Sequence, residues 1–116
     1  MEEERLTSLK EFEERLGLRF KEIKWLDQAL THKSFIYETN HPEKVANEVL
    51  EFLGDSVLNL AVSHLLLHKF PDAQEGTLSM MRSQLVKRSS LASLSKEFQL
   101  EGYLLLGKSQ QLNGGM

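Results

Sequence analysis

No cysteine occurs among the 116 residues of this chain. Disulfides and thiolate metal sites are therefore excluded, and a reducing cytoplasm suits the protein. No segment alternates apolar and polar residues as a half-buried strand does, and there is no internal repeat or low-complexity tract. The fold class expected is all-α. The N-terminal Met-Glu-Glu-Glu-Arg lacks the basic and then apolar run of a signal peptide. No uninterrupted apolar run approaches the ~20 residues of a membrane span. The best candidate, residues 57–67, is short and broken by Asn59, Ser63 and His64. The expectation is a cytoplasmic protein without membrane association. An excess of basic charge is missing too, since the formal net charge is −3, which argues against non-specific nucleic-acid binding by the whole surface. An apolar fraction of 41% and a charged fraction of 27% are those of one globular domain.

What the chain does have is concentrated in residues 47–58, Asn-Glu-Val-Leu-Glu-Phe-Leu-Gly-Asp-Ser-Val-Leu. Val49, Leu50, Phe52, Leu53, Val57 and Leu58 recur at helical spacing, and the run continues through Leu60, Ala61, Val62, Leu65 and Leu66. This predicts a long helix with most of its surface buried, ended near His68 or Lys69 by Phe70-Pro71-Asp72. Glu48, Glu51 and Asp55 fall on one face of it at offsets of three and four. Like charges at that spacing repel by a few tenths of a kcal/mol per pair, and Gly54 costs about 1 kcal/mol against Ala. A divalent cation would offset the repulsion, because Mg²⁺ takes oxygen ligands from one or two carboxylates. The plainer reading is a solvated acidic stripe, with Gly54 admitting a neighbouring helix.

Elsewhere, a first helix is expected over residues 7–16, stopped near Gly17, and a second is marked by Ile23, Leu26, Ala29 and Leu30. Trp25 and Phe35 read as core anchors, and His32 as a packed or hydrogen-bonded structural residue. Residues 37–42 read as a loop with a helix starting soon after Pro42. His64 and His68 have the i, i+4 spacing of a metal pair, but no third ligand stands in an obvious place. Residues 75–79 open another helix with a Leu78, Met81 and Leu85 stripe and Thr77 as a cap; Met80 and Met81 read as core or interface filler. A shorter helix over residues 90–98, with a serine cap, turns Leu91, Leu94 and Phe98 inward. Residues 99–107 pack as a turn or short helix, and residues 110–116 have loop chemistry. Residues 76–96 carry Arg82, Lys87, Arg88 and Lys96 without an acid, either a phosphate-contacting segment or a solvated face.

The string of residues 47–55 resembles the signature of the ribonuclease III family, Asn-Glu-x-Leu-Glu-Phe-Leu-Gly-Asp, at every fixed position. Residues 29–35 (Ala-Leu-Thr-His-Lys-Ser-Phe) and the Glu-Gly-x-Leu-Ser of residues 75–79 also resemble segments of that family. The resemblance implies a helical, dimeric, Mg²⁺-dependent endonuclease domain acting on double-stranded RNA, with Mn²⁺ as a substitute ion. It assigns Glu51 and Asp55 as metal-binding and catalytic carboxylates, and Glu48 and Glu75 as supporting acids. Phe52 is assigned as an aromatic knob that enters a partner subunit.

The resemblance runs from about Leu6 to Met116. The family continues with another helix that supplies an Asp and a Glu three residues apart, whereas this chain has no acid after Glu101. The expectation is an incomplete catalytic domain over residues 1–116, carrying half of the metal site, with no double-stranded-RNA-binding domain. The missing helix would leave apolar surface on the central helix uncovered. The alternative is a catalytically silent RNA-binding or dimerisation module, against which the retention of all four acids argues.

Overall fold

The structure, a computed structural model, describes residues 1–41 and 43–112, and the end of the expected C-terminal loop, residues 113–116, lies outside them. Helix α1 (Glu3–Leu16) starts earlier than its apolar pattern suggested. Glu3 and Glu4 in its first turn and Arg15 in its last suit the helix dipole. Gly17 stops it at φ 70°, where a side chain would be strained. Helix α2 (Lys24–Ala29) lies against it. Leu9, Phe12, Leu26 and Leu30 join Tyr103, from a 3₁₀ turn over Leu100–Tyr103, in a small buried core. Phe12 and Tyr103 stack with ring centres 4.7 Å apart. Trp25 is not the anchor expected: it is 47% exposed, with Lys24 Nζ over its ring. Phe35 is half-buried and meets His41 edge-on.

Helix α3 (Lys33–Thr39) occupies ground expected to be loop from residue 37. His32 explains its start, because its ring Nδ1 accepts the Ser34 amide as an N-cap. The loop begins only at Asn40, at φ 53°. Helix α4 (Glu48–Lys69) follows, then α5 (Glu75–Val86), α6 (Arg88–Glu97) and α7 (Lys108–Leu112). Gln74 rather than Thr77 precedes α5, and Lys87 rather than a serine precedes α6. In α6 the buried residue is Ser95, while Leu94 is half exposed. The 3₁₀ turn confirms a short helix within residues 99–107, and α7 replaces expected loop at residues 110–112. No strand forms among the described residues; one parallel bridge joins Thr31 to Leu105.

The largest departure concerns α4. Its apolar residues were expected to be buried, yet within it only Leu66 is. Val49, Phe52, Leu60 and Leu67 are 57–80% exposed. The radius of gyration, 16.5 Å, exceeds the ~13 Å of a compact domain this size. Helices α4 and α5 form an antiparallel pair extending from the core, and the remaining sides of α4 meet little. By length and composition alone α4 is apolar enough to cross a membrane, with a mean hydropathy of 1.4, contrary to the expectation from uninterrupted runs. The interrupting Asn59, Ser63 and His64 lower the hydropathy less than they break the run. The core helix of a globular domain meets the same measure.

A polar tie closes the N-terminal half. Asp27 accepts Arg5 Nε at 2.8 Å and Lys44 Nζ at 2.9 Å, and Arg5 also donates to the Tyr103 carbonyl. Burial pushes the Asp27 carboxyl up, but the hydrogen bonds and charges of Arg5 and Lys44 outweigh it and hold the group below its ordinary 3.8. The stabilisation is complete above the ordinary value and is lost as pH falls through the lower folded one. Asp27→Asn should cost about 1.5–3 kcal/mol at neutral pH, the range for hydrogen bonds to charged groups. Urea unfolding at pH 7 and pH 3 checks both parts: the gap between parent and variant should narrow in acid.

Candidate active site

The acidic helix begins where the chain is held most firmly. The Asn47 amide donates to the Thr31 carbonyl at 2.9 Å and its side-chain amide to the Ala29 carbonyl at 3.1 Å. Gln28 Nε2 reaches the Ala46 carbonyl. On the other side of the same segment His32 N donates to Leu105 O, and Leu105 N to Leu30 O. Thr31, in the middle, is fully buried, and its hydroxyl bonds the Asp27 carbonyl. Asn47 therefore fixes both the position and the direction of α4, and Glu51 N makes the helix's first bond to the Asn47 carbonyl at 2.8 Å.

From that start the helix presents Glu48, Glu51 and Asp55 along one side, all exposed. No ion pair holds any of them among the described residues, so their repulsion is relieved by water alone in this chain. Gly54 has no atom of another element within 4 Å of where a Cβ would stand, so its lack of a side chain serves no contact among the described residues. Further along the same side, Asn59 bonds the Asp55 carbonyl, Ser63 bonds the Asn59 carbonyl, and Arg82 of α5 donates to Ser63 Oγ at 2.8 Å. Arg82 thus belongs to the α4–α5 contact. Lys87 bonds Gln84 between α5 and α6, so the basic segment is divided over two helices and is not one stripe.

Glu75 is the first residue of α5 and lines a groove with Ser63, Leu66, Leu67 and Arg82. Those α4 residues lie eight to twelve positions beyond Asp55, or about 12–18 Å along the axis. The structure therefore gathers Glu48, Glu51 and Asp55 and leaves Glu75 apart within one chain. No three His, Asp or Glu side chains converge as a metal cluster among the described residues. The donor set still suits Mg²⁺, which keeps several waters and takes one or two carboxylates plus substrate phosphates. Phe52, 80% exposed, stands between the acidic side and the apolar side formed by Val49, Leu53, Val57 and Leu60.

Sequence reasoning missed Asp27 and Thr31, which support this arrangement. Their partners lie 17 to 22 residues away or are backbone groups, so no local pattern marked them. The Asn47 of the signature was legible as a residue but not as a tie.

Residues 22–116 match the Ribonuclease-III-like family model. Ribonuclease 3 of Syntrophobacter fumaroxidans is 48% identical over 100 residues, covering 86% of this chain and 41% of that protein. Ribonuclease 3 of Enterococcus faecalis is 45% identical over 105 residues, covering 90% and 46%. The chain thus spans less than half the length of the curated relatives it matches. The nuclease domain of a Campylobacter jejuni ribonuclease III superposes with a TM-score of 0.80 at 39% identity, covering 92% of this chain and 71% of that one. It is described for structural flexibility in a region involved in dimer formation. With its signature string intact on α4 and its fold that of solved ribonuclease III nuclease domains, this chain belongs to the ribonuclease III family.

Proposed function

We propose that this chain contributes the first half of the centre of a cytoplasmic, Mg²⁺-dependent endoribonuclease that cuts double-stranded RNA in the processing of rRNA or mRNA precursors. The observation that carries the reading is the placement of Glu51 and Asp55. They stand one helical turn apart on an open side of α4, at the end of the helix that Asn47 holds. Glu51 and Asp55 would hold the ion, with Mn²⁺ able to substitute, and Glu48 and Glu75 are supporting acids. When bound, such an ion lowers the pKa of an attacking water and neutralises charge on the phosphate. The part played by this chain's residues is positional: two carboxylates at a fixed helical spacing, free of competing cations and open to a phosphate from solvent. Double-stranded RNA is recognised by shape, 2′-hydroxyls and phosphates, which an open acidic side bridged by a cation can meet.

The exposed apolar side of α4 supports a second part of the reading, in which the domain acts as a homodimer. Contiguous apolar surface of this kind marks an interaction site. Phe52 is the aromatic that would enter the partner. A catalytically silent binding or dimerisation module would use the same side without needing the acids.

Three outcomes check the reading. Long double-stranded RNA should be cleaved with Mg²⁺ by a chain extended to the length of its relatives and not by residues 1–116 alone; cleavage by neither favours the silent module. In the active form Asp55→Asn should lower kcat by about 10²-fold or more with dimerisation intact. An unchanged rate would remove Asp55 from the centre. Phe52→Ala should weaken dimerisation by about 2 kcal/mol or more in sedimentation equilibrium, the scale of an aromatic hot spot.

A further inference from the structure

Outside the acidic side, one pair of chemically capable side chains converges on α4. His64 and His68 are both exposed, their Nε2 atoms lie 3.2 Å apart, and their ring centres are 4.5 Å apart. The nitrogens are nearer than the rings that carry them, so the two rings turn their Nε2 edges toward each other. A tetrahedral ion with Zn–N bonds of 2.0–2.1 Å needs two nitrogens about 3.3–3.4 Å apart. The spacing present is within about 0.2 Å of that chelate.

We propose that His64 and His68 form a two-imidazole site for a borderline divalent transition-metal ion, with Zn²⁺ as the type. In the free chain the pair makes a hydrogen bond, one Nε2–H donating to the other ring's Nε2. Binding asks the donor ring to carry its proton on Nδ1 instead, which frees both Nε2 lone pairs. Water fills the remaining coordination positions, because no third His, Asp or Glu joins the pair among the described residues. The site is consequently exchangeable rather than structural.

Ligand chemistry separates this site from the carboxylates. Mg²⁺ favours oxygen donors, whereas imidazole favours Zn²⁺, Ni²⁺ and Cu²⁺. Position separates them as well. His64 is nine residues past Asp55, about 14 Å along the axis, and the helical repeat points it to a different side. An ion here clips together the last two turns of α4, just before the helix ends at Lys69.

Calorimetric titration of this chain with Zn²⁺, in saturating Mg²⁺ to occupy the carboxylates, tests the proposal. One Zn²⁺ per chain should bind, and Cu²⁺ should bind more tightly. H64Q and H68Q should each weaken Zn²⁺ binding by about tenfold or more, since each removes one of two protein donors, while E51Q/D55N should leave it unchanged. Zn²⁺ should also raise the thermal transition of the parent and not of H68Q. Circular dichroism establishes that the histidine variants keep the parent's helicity, as exposed positions should. Zn²⁺ affinity unchanged in H64Q and H68Q, or lost in E51Q/D55N instead, overturns the site.

Discussion

Three residues outside any helix, Leu30, Thr31 and His32, decide how the helices are arranged. Their backbone is paired on one side with Leu105 and on the other with Asn47. A buried backbone segment must find partners for every amide and carbonyl, and here the His32 amide and the Leu30 and Thr31 carbonyls find theirs in two distant parts of the chain. The Thr31 side chain is fully buried between them. Asp27, one turn earlier, adds Arg5 from α1 and Lys44 from the segment leading into α4. Removal of this junction would leave each helix intact and the relation of α4 to the core undefined.

Helix α4 itself satisfies two demands that conflict in an isolated chain. Its apolar residues call for burial, while its acids must meet water, an ion or a phosphate. In the described residues α5 covers part of one side and α2 touches the start, leaving most apolar residues exposed. Burying a large apolar side chain is worth about 1.5–3 kcal/mol, so the exposed side represents a large unused stabilisation. The acids lie largely opposite, where covering the apolar side would not obstruct them. The geometry of one helix therefore keeps the apolar residues that call for burial and the acids on different sides.

Much of this was legible in the sequence. The end of α4 at Lys69 and the side shared by Glu48, Glu51 and Asp55 followed from spacing and helix-ending residues, the all-α class from the absence of alternating strands, and the structural part of His32 from the ordinary role of a lone histidine. Periodicity failed where it was asked to say what covers a face. Val49 and Leu60 have the pattern of core residues and are exposed, because a pattern reports the need for burial and not the identity of the neighbour. It failed also for α3, where a short helix rests on the His32 cap rather than on an apolar stripe. Trp25 was misplaced because its size argued for the core while its helix is too short to bury both ends. The tie at Asn47 was invisible, since its partners are backbone carbonyls with no side-chain signature.

That tie gives α4 the mechanics of a lever with its pivot at one end. At 1.5 Å per residue, Asp55 lies about 10 Å from the first turn and Lys69 about 32 Å. A tilt of about 5° around the pivot would carry Lys69 nearly 3 Å and Asp55 less than 1 Å, by the same rise. The carboxylates therefore stand near the anchored end of the helix, while α5 packs on its far part. A displacement of the far end need not disturb the spacing of the two carboxylates.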